Sequence, residues 1–109
     1  MNAEPHLGHA LEFIRADIIA RWKKSQGFEV FFNTGTDEHG QKLFDSAEKA
    51  GKSAQAYVDE YANHFRELLP KLGVSSDIHF IRTTNPHHEK AAQEFWKRVE
   101  KNGFIYKKN

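Results

Sequence analysis

The chain contains no cysteine. That absence removes disulfides, thiolate nucleophiles and cysteine-based zinc sites from this stretch, and it fits a reducing compartment. Long apolar runs and a signal-peptide pattern are missing as well, which argues against a membrane span or secretion and makes a cytoplasmic location the default expectation. Charge of one sign is also lacking. Sixteen Lys and Arg against fifteen Asp and Glu leave a formal net charge of +1, so no overall field marks the chain as a nucleic-acid binder. Repeats and low-complexity linkers are absent too, and nothing in the sequence sets an oligomeric state.

What is present has a globular balance: 39% hydrophobic residues, nine Phe, three Tyr and two Trp, against 28% charged. Such a composition can bury a core. A length of 109 residues suits one compact domain of modest burial and argues against two.

A first helix is expected near Pro5, because proline at a helix start loses no needed amide. Leu7, Leu11, Ile14, Ile18 and Trp22 then recur at helical spacing, and Gly27 is the stop, after Arg21, Lys23 and Lys24 in the last turns. Phe28 to Thr34 reads as a short, nearly continuous apolar strand of the buried parallel kind, with Gly35 and Gly40 bracketing a polar turn. A short helix follows from about Gln41 to Ala50, ending at Gly51. Ser53 is placed to cap a longer helix through Leu68 or Leu69, which Pro70 weakens or ends. Asp77 to Arg82 suits a second strand, Asn85 and Pro86 open a last helix ending at Gly103, and Phe104 to Tyr106 suggests a further strand. This alternation predicts an α/β fold with a parallel sheet flanked by helices.

His6 and His9 stand three residues apart and so share one helix face, with Gly8 between them offering backbone that a ligand can approach. A helix N-terminus adds unpaired amides and the positive end of the dipole, which together favour a phosphate. Leu7 is free to turn inward. A histidine pair at this spacing is by itself more often a surface or capping pair. Joined by His39 it could bind zinc, although the spacing matches no known zinc signature.

The run Asn-Ala-Glu-Pro-His-Leu-Gly-His at residues 2 to 9 is similar to the HIGH signature of class I aminoacyl-tRNA synthetases. A second stretch, Thr-Gly-Thr-Asp-Glu-His-Gly at residues 34 to 40, leaves the end of the first expected strand, where a doubly wound sheet places its ligand crevice. Alone it would be a glycine-rich turn with a capping Asp. Beside the first motif it most resembles the methionyl-tRNA synthetase family. Asp17, Arg21 and Trp22, the segment Phe-Ile-Arg-Thr-Thr at 80 to 84 and Gly-Phe-Ile-Tyr at 103 to 106 extend the likeness along the whole chain.

The resemblance implies the N-terminal portion, residues 1–109, of a truncated Rossmann-like (HUP-type) catalytic domain. Its first strand, connective domain, KMSKS half and anticodon-binding domain would lie elsewhere. It further implies that His6 and His9 contact the phosphates of ATP and act in catalysis, that Gly8 lies against the adenine, and that Asp37 accepts hydrogen bonds from the α-ammonium of methionine. Glu38 and His39 receive no role. The implied substrates are methionine, ATP with its magnesium ion, and tRNA(Met), with no zinc ligand in this segment, and the chain alone is expected to be inactive. The alternatives are another HxGH-type nucleotidyltransferase, which generally lacks the Gly-Thr-Asp-Glu-His-Gly stretch, and a non-catalytic ATP-binding half-domain. Lys97, Arg98, Lys101, Lys107 and Lys108 are read as a solvated face, not as an RNA contact.

Overall fold

The structure, a computed structural model, describes residues 4–108; Asn2 and Ala3 of the first motif lie outside them. The elements are α1 (Leu7–Ser25), β1 (Asn33–Thr36), α2 (Gln41–Lys49), α3 (Ala54–Lys71), β2 (His79–Arg82) and α4 (Pro86–Lys101). β1 and β2 pair in parallel, with Asn33 opposite His79 and Thr36 opposite Arg82. Parallel neighbours need a crossover connection, which α2 and α3 supply. The mixed α/β class with a parallel sheet is therefore as the sequence predicts.

The first strand is shorter and later than expected. Residues 28 to 32 lead into it without joining the ladder, and Phe31 is 71% exposed. Phe32 is buried and Val30 is partly buried against the same core, and the Phe32 carbonyl accepts the His79 amide at 2.9 Å. Gly35 lies inside β1 and not in the following turn. A Cβ at this position would fall 1.9 Å from the Ile81 carbonyl oxygen, so the two strands meet this closely because residue 35 has no side chain.

α1 is rotated away from its apolar stripe. Leu7, Leu11, Ile14, Ile18 and Trp22 are all exposed, Leu7 at 85%, while Phe13, Asp17 and Ala20 are buried. Polar bonds set this rotation. Asp17 Oδ1 accepts from the Ser75 amide at 2.9 Å and from its hydroxyl, and Oδ2 accepts from Arg21 Nε at 2.7 Å. The other arm of Arg21 donates to the Gly73 carbonyl at 2.7 Å. Burial alone would push the Asp17 carboxyl up, but these donors outweigh it and hold it below its ordinary value.

One apolar cluster joins Phe13, Ala20, Phe32, Phe65, Leu69 and Val74 beneath α1 and the strands, and a second joins Leu43 and Ala47 of α2 to Tyr57 and Val58 of α3. Ser53 caps α3 as expected, its hydroxyl accepting the Ala56 amide at 3.2 Å. That helix runs on to Lys71, past Pro70, because a proline this near the end forfeits a single amide and the last turn still closes through Leu72 to Leu68.

α4 buries none of its residues, leaving Phe95 and Trp96 exposed. Phe104 to Tyr106 forms no strand and is largely exposed. The radius of gyration is 17.2 Å, against about 13 Å for a compact chain of this length.

Candidate active site

His6 is the N-cap of α1, and the two histidines of the first motif hold each other. The Gly8 amide donates to His6 Nδ1 at 3.1 Å, and the His6 amide donates to His9 Nδ1 at 3.2 Å. This reciprocal cap stacks the two rings 3.8 Å apart between centroids, at 26°. The capping reading and a ligand-binding reading thus coexist, because the cap uses Nδ1 of each ring and leaves Nε2. Each Nδ1 accepts from a backbone N–H, so in the neutral rings the proton sits on Nε2. Both rings then offer an N–H donor beside the amide-rich helix end.

Gly8 serves the same geometry. A Cβ on it would meet Cε1 and Nδ1 of the His6 ring at 3.0 and 3.1 Å, so the capping ring would have to give by a few tenths of an ångström. Leu7 points outward, contrary to expectation, since the first turn of α1 presents its apolar stripe to solvent. On its far side the His9 ring meets Phe65 edge-on at 4.9 Å. Burial, and then the neighbouring His6, lowers the His9 pKa below its ordinary 6.5, which keeps this ring neutral. Beside the helix start, Glu4 pairs with His64 Nδ1 at 3.0 Å, at the edge of an open recess lined also by Pro5, Glu67, Leu68 and Lys71.

Asp37 lies on a separate element, at the carboxyl end of β1, with its side chain exposed and Oδ1 accepting the His39 amide at 3.3 Å. Its two neighbours are anchored to the end of β2. The Glu38 side chain is fully buried and its Oε1 accepts from Thr36 Oγ1 at 2.7 Å and Arg82 Nε at 2.6 Å, while Oε2 accepts from Thr84 Oγ1. The Glu38 amide donates to Thr83 Oγ1 at 2.8 Å, and His39 Nε2 lies 3.4 Å from the Thr83 carbonyl oxygen. Burial pushes the Glu38 carboxyl up, but its three donors outweigh that and leave it below its usual 4.5. Arg82 reaches onward to Asp59 of α3.

Sequence reasoning gave Glu38 and His39 no role and noted Arg82 and Thr83 only as part of a family-like segment. The available signal was an acid inside an otherwise turn-like run and an arginine closing an apolar strand, a pair of opposite charges at matching strand ends. Among the described residues no group of three or more His, Cys, Asp or Glu side chains is arranged to hold a metal ion. Nor is any helix among them long and apolar enough to cross a membrane.

The chain thus combines a helix start capped by two histidines with an acidic loop at the carboxyl end of a parallel strand, carried on an α/β frame. All of residues 1–109 match the sequence model described as tRNA synthetases class I (M), and the chain belongs to that family. The methionine–tRNA ligase of Thermotoga maritima is 50% identical over 98% of this chain, and that of Thermosynechococcus vestitus 47% over 97%. The chain spans 17% and 20% of those two proteins. Mycobacterium tuberculosis methionyl-tRNA synthetase, solved with methionyl-adenylate bound, superposes with a TM-score of 0.89 at 42% identity, over 94% of this chain and 20% of that one.

Proposed function

We propose that this chain is the N-terminal portion of the Rossmann-type catalytic domain of a methionine–tRNA ligase and carries part of its amino-acid activation site. In that reaction methionine and ATP give methionyl-adenylate and pyrophosphate, and the methionyl group then passes to tRNA(Met). The observation that carries the reading is the reciprocal His6–His9 cap, which sets two Nε2 donors at the positive end of α1. The likeness to an enzyme holding methionyl-adenylate supports it.

A methionine carboxylate oxygen forms the new bond to the α-phosphorus, and the bond to the bridging oxygen breaks as pyrophosphate leaves with the electron pair. No proton has to be removed, because the carboxylate is ionised at neutral pH. Catalysis then rests on alignment and on stabilising charge as it moves onto the phosphates. His6 and His9 supply Nε2 donors and the α1 amides add their dipole, while Gly8 leaves room for the adenine. A neutral His9 suits a donor that must hold pyrophosphate and then release it. Asp37 takes the ammonium of methionine. Magnesium arrives with the ATP phosphates, and the setting is cytoplasmic.

The test is an NMR titration of this chain and of its Asp37→Ala variant with a non-hydrolysable methionyl-adenylate analogue. Shifts confined to the surroundings of His6, Gly8 and Asp37, weakened in the variant, are the expected result. A folded chain whose spectrum does not respond overturns the reading. Robust methionine-dependent ATP–pyrophosphate exchange by these 109 residues would overturn the companion proposal, that the chain is inactive alone.

A further inference from the structure

Asp37 is exposed, and the parts of its backbone that fix its direction are not its own. Before it, the Thr36 carbonyl accepts the Thr83 amide at 3.2 Å; after it, the Glu38 amide donates to Thr83 Oγ1 at 2.8 Å. Thr83 thus grips the chain on both sides of Asp37, once through its backbone and once through its hydroxyl. Behind that grip Glu38 points away from Asp37 into a buried pocket of donors from Thr36, Arg82 and Thr84. Arg82 is in turn braced by Asp59 of α3. A fully buried carboxylate paired with an arginine that is 15% exposed is expensive to build, because desolvation offsets most of the attraction. Such a pair is more readily understood as fixing a conformation than as adding stability. The conformation it fixes is that of the residue between Thr36 and Glu38.

We propose that Thr83, together with the Glu38–Arg82 pair, is a positioning element that holds Asp37 for the ammonium of the amino-acid substrate. The inference rests on the reading of Asp37 given above. An amino acid bound through its ammonium gains from an acceptor already in place, because ordering a mobile loop on binding would weaken affinity. The nucleotide end of the site depends on the start of α1 and has no share in this grip. Loss of the Thr83 hydroxyl therefore separates the two substrates.

The experiment uses three variants, Thr83→Val, Thr83→Ser and Asp37→Ala, with methionine and ATP titrated separately by NMR and amide exchange followed at Glu38. Thr83→Val keeps the shape of the side chain and removes the hydroxyl. It is expected to speed exchange of the Glu38 amide and to weaken methionine binding about tenfold, the scale of one well-made hydrogen bond, while ATP binding stays within about twofold. Thr83→Ser restores both properties. A merely structural Thr83 would instead lower thermal stability and weaken both ligands alike, and that result overturns the proposal. So does an unchanged methionine affinity in Thr83→Val when Asp37→Ala weakens it. If methionine affinity is unchanged in Asp37→Ala as well, or if no methionine binding is seen in any form, the assignment of Asp37 itself has failed, and the positioning role falls with it.

Discussion

At the start of α1, the bonds that set His6 and His9 span two and three residues, whereas the side-chain bonds that tie the loop around Asp37 to Arg82, Thr83 and Thr84 reach 44 to 46 residues along the chain. The histidine pair is thus assembled as soon as its helix forms. The acidic loop exists only once β1 and β2 have paired and α2 and α3 have crossed between them. Each half is therefore vulnerable in its own way: the first to the loss of a single local contact, the second to anything that separates the strands.

The largest effect is expected at Gly35, where the comparison can be broken outright. Gly35→Ala sets a Cβ 1.9 Å from a backbone oxygen that has no flexible end to move aside. We expect a loss of about 4 kcal/mol, or failure of the strands to pair, measured by urea unfolding. In the surviving population the loop at 36–39 should lose amide protection while the first turn of α1 keeps it. Equal loss at both places would show that the two halves are not separately held.

Glu38→Ala comes next. It leaves the Arg82 guanidinium, largely shielded from water, with Asp59 as its remaining carboxylate partner. Breaking a buried pair by removing one partner costs about 3 kcal/mol, which a denaturation midpoint reads directly. A loss below about 1 kcal/mol would mean that Arg82 re-solvates and that the pair is not the anchor described here.

The same contrast explains what could be read from sequence. The start of α1, which falls at Leu7 with His6 as its cap and Pro5 just outside, the Ser53 cap and the stop at Gly51 are set by neighbours a few residues away, and each was legible to within two residues. The alternation of elements also sufficed for the α/β class. What sequence misplaced depends on partners far along the chain. The stripe of Leu7, Leu11, Ile14 and Ile18 marks the helix by its spacing, but Asp17, bonded to Ser75, turns the opposite face to the core. Phe28 to Phe31 has the composition of a buried strand, and among the described residues no third strand lies beside it. At the site, His6, Gly8 and His9 were found together because the bonds that join them to one another are local. Glu38 and Thr83 went unassigned because nothing in either short segment says that 45 residues later they will share a hydrogen bond.

His6→Ala acts on the histidine half alone. It removes the ring that accepts the Gly8 amide and stacks on His9. Loss of an N-cap of this kind costs about 1 kcal/mol. The Glu38 amide should exchange as slowly as before, because its partner lies on β2. Faster exchange at Glu38 would couple the two halves and defeat the distinction.

The smallest effect is a pH dependence confined to the histidine half. The folded-state pKa of His9 is depressed below the ordinary 6.5. Above that value both the folded and unfolded chains carry a neutral ring, and the residue adds no slope. As pH falls below about 6.5, the unfolded chain takes up the proton first, so stability declines through the interval between 6.5 and the lower folded value. Urea midpoints collected across this range should therefore decrease on acidification in the wild-type chain and flatten in His9→Asn. Glu38 and Asp17, whose carboxyls are also depressed, contribute losses in the acid region below their ordinary 4.5 and 3.8, so the two effects separate along the pH axis. A midpoint that rises between neutral pH and 6.5 or just below, and falls in His9→Asn, would mean that the ring gains a proton in the folded state. The neutral Nε2 donor argued for the phosphate site would then have to be replaced by a charged one.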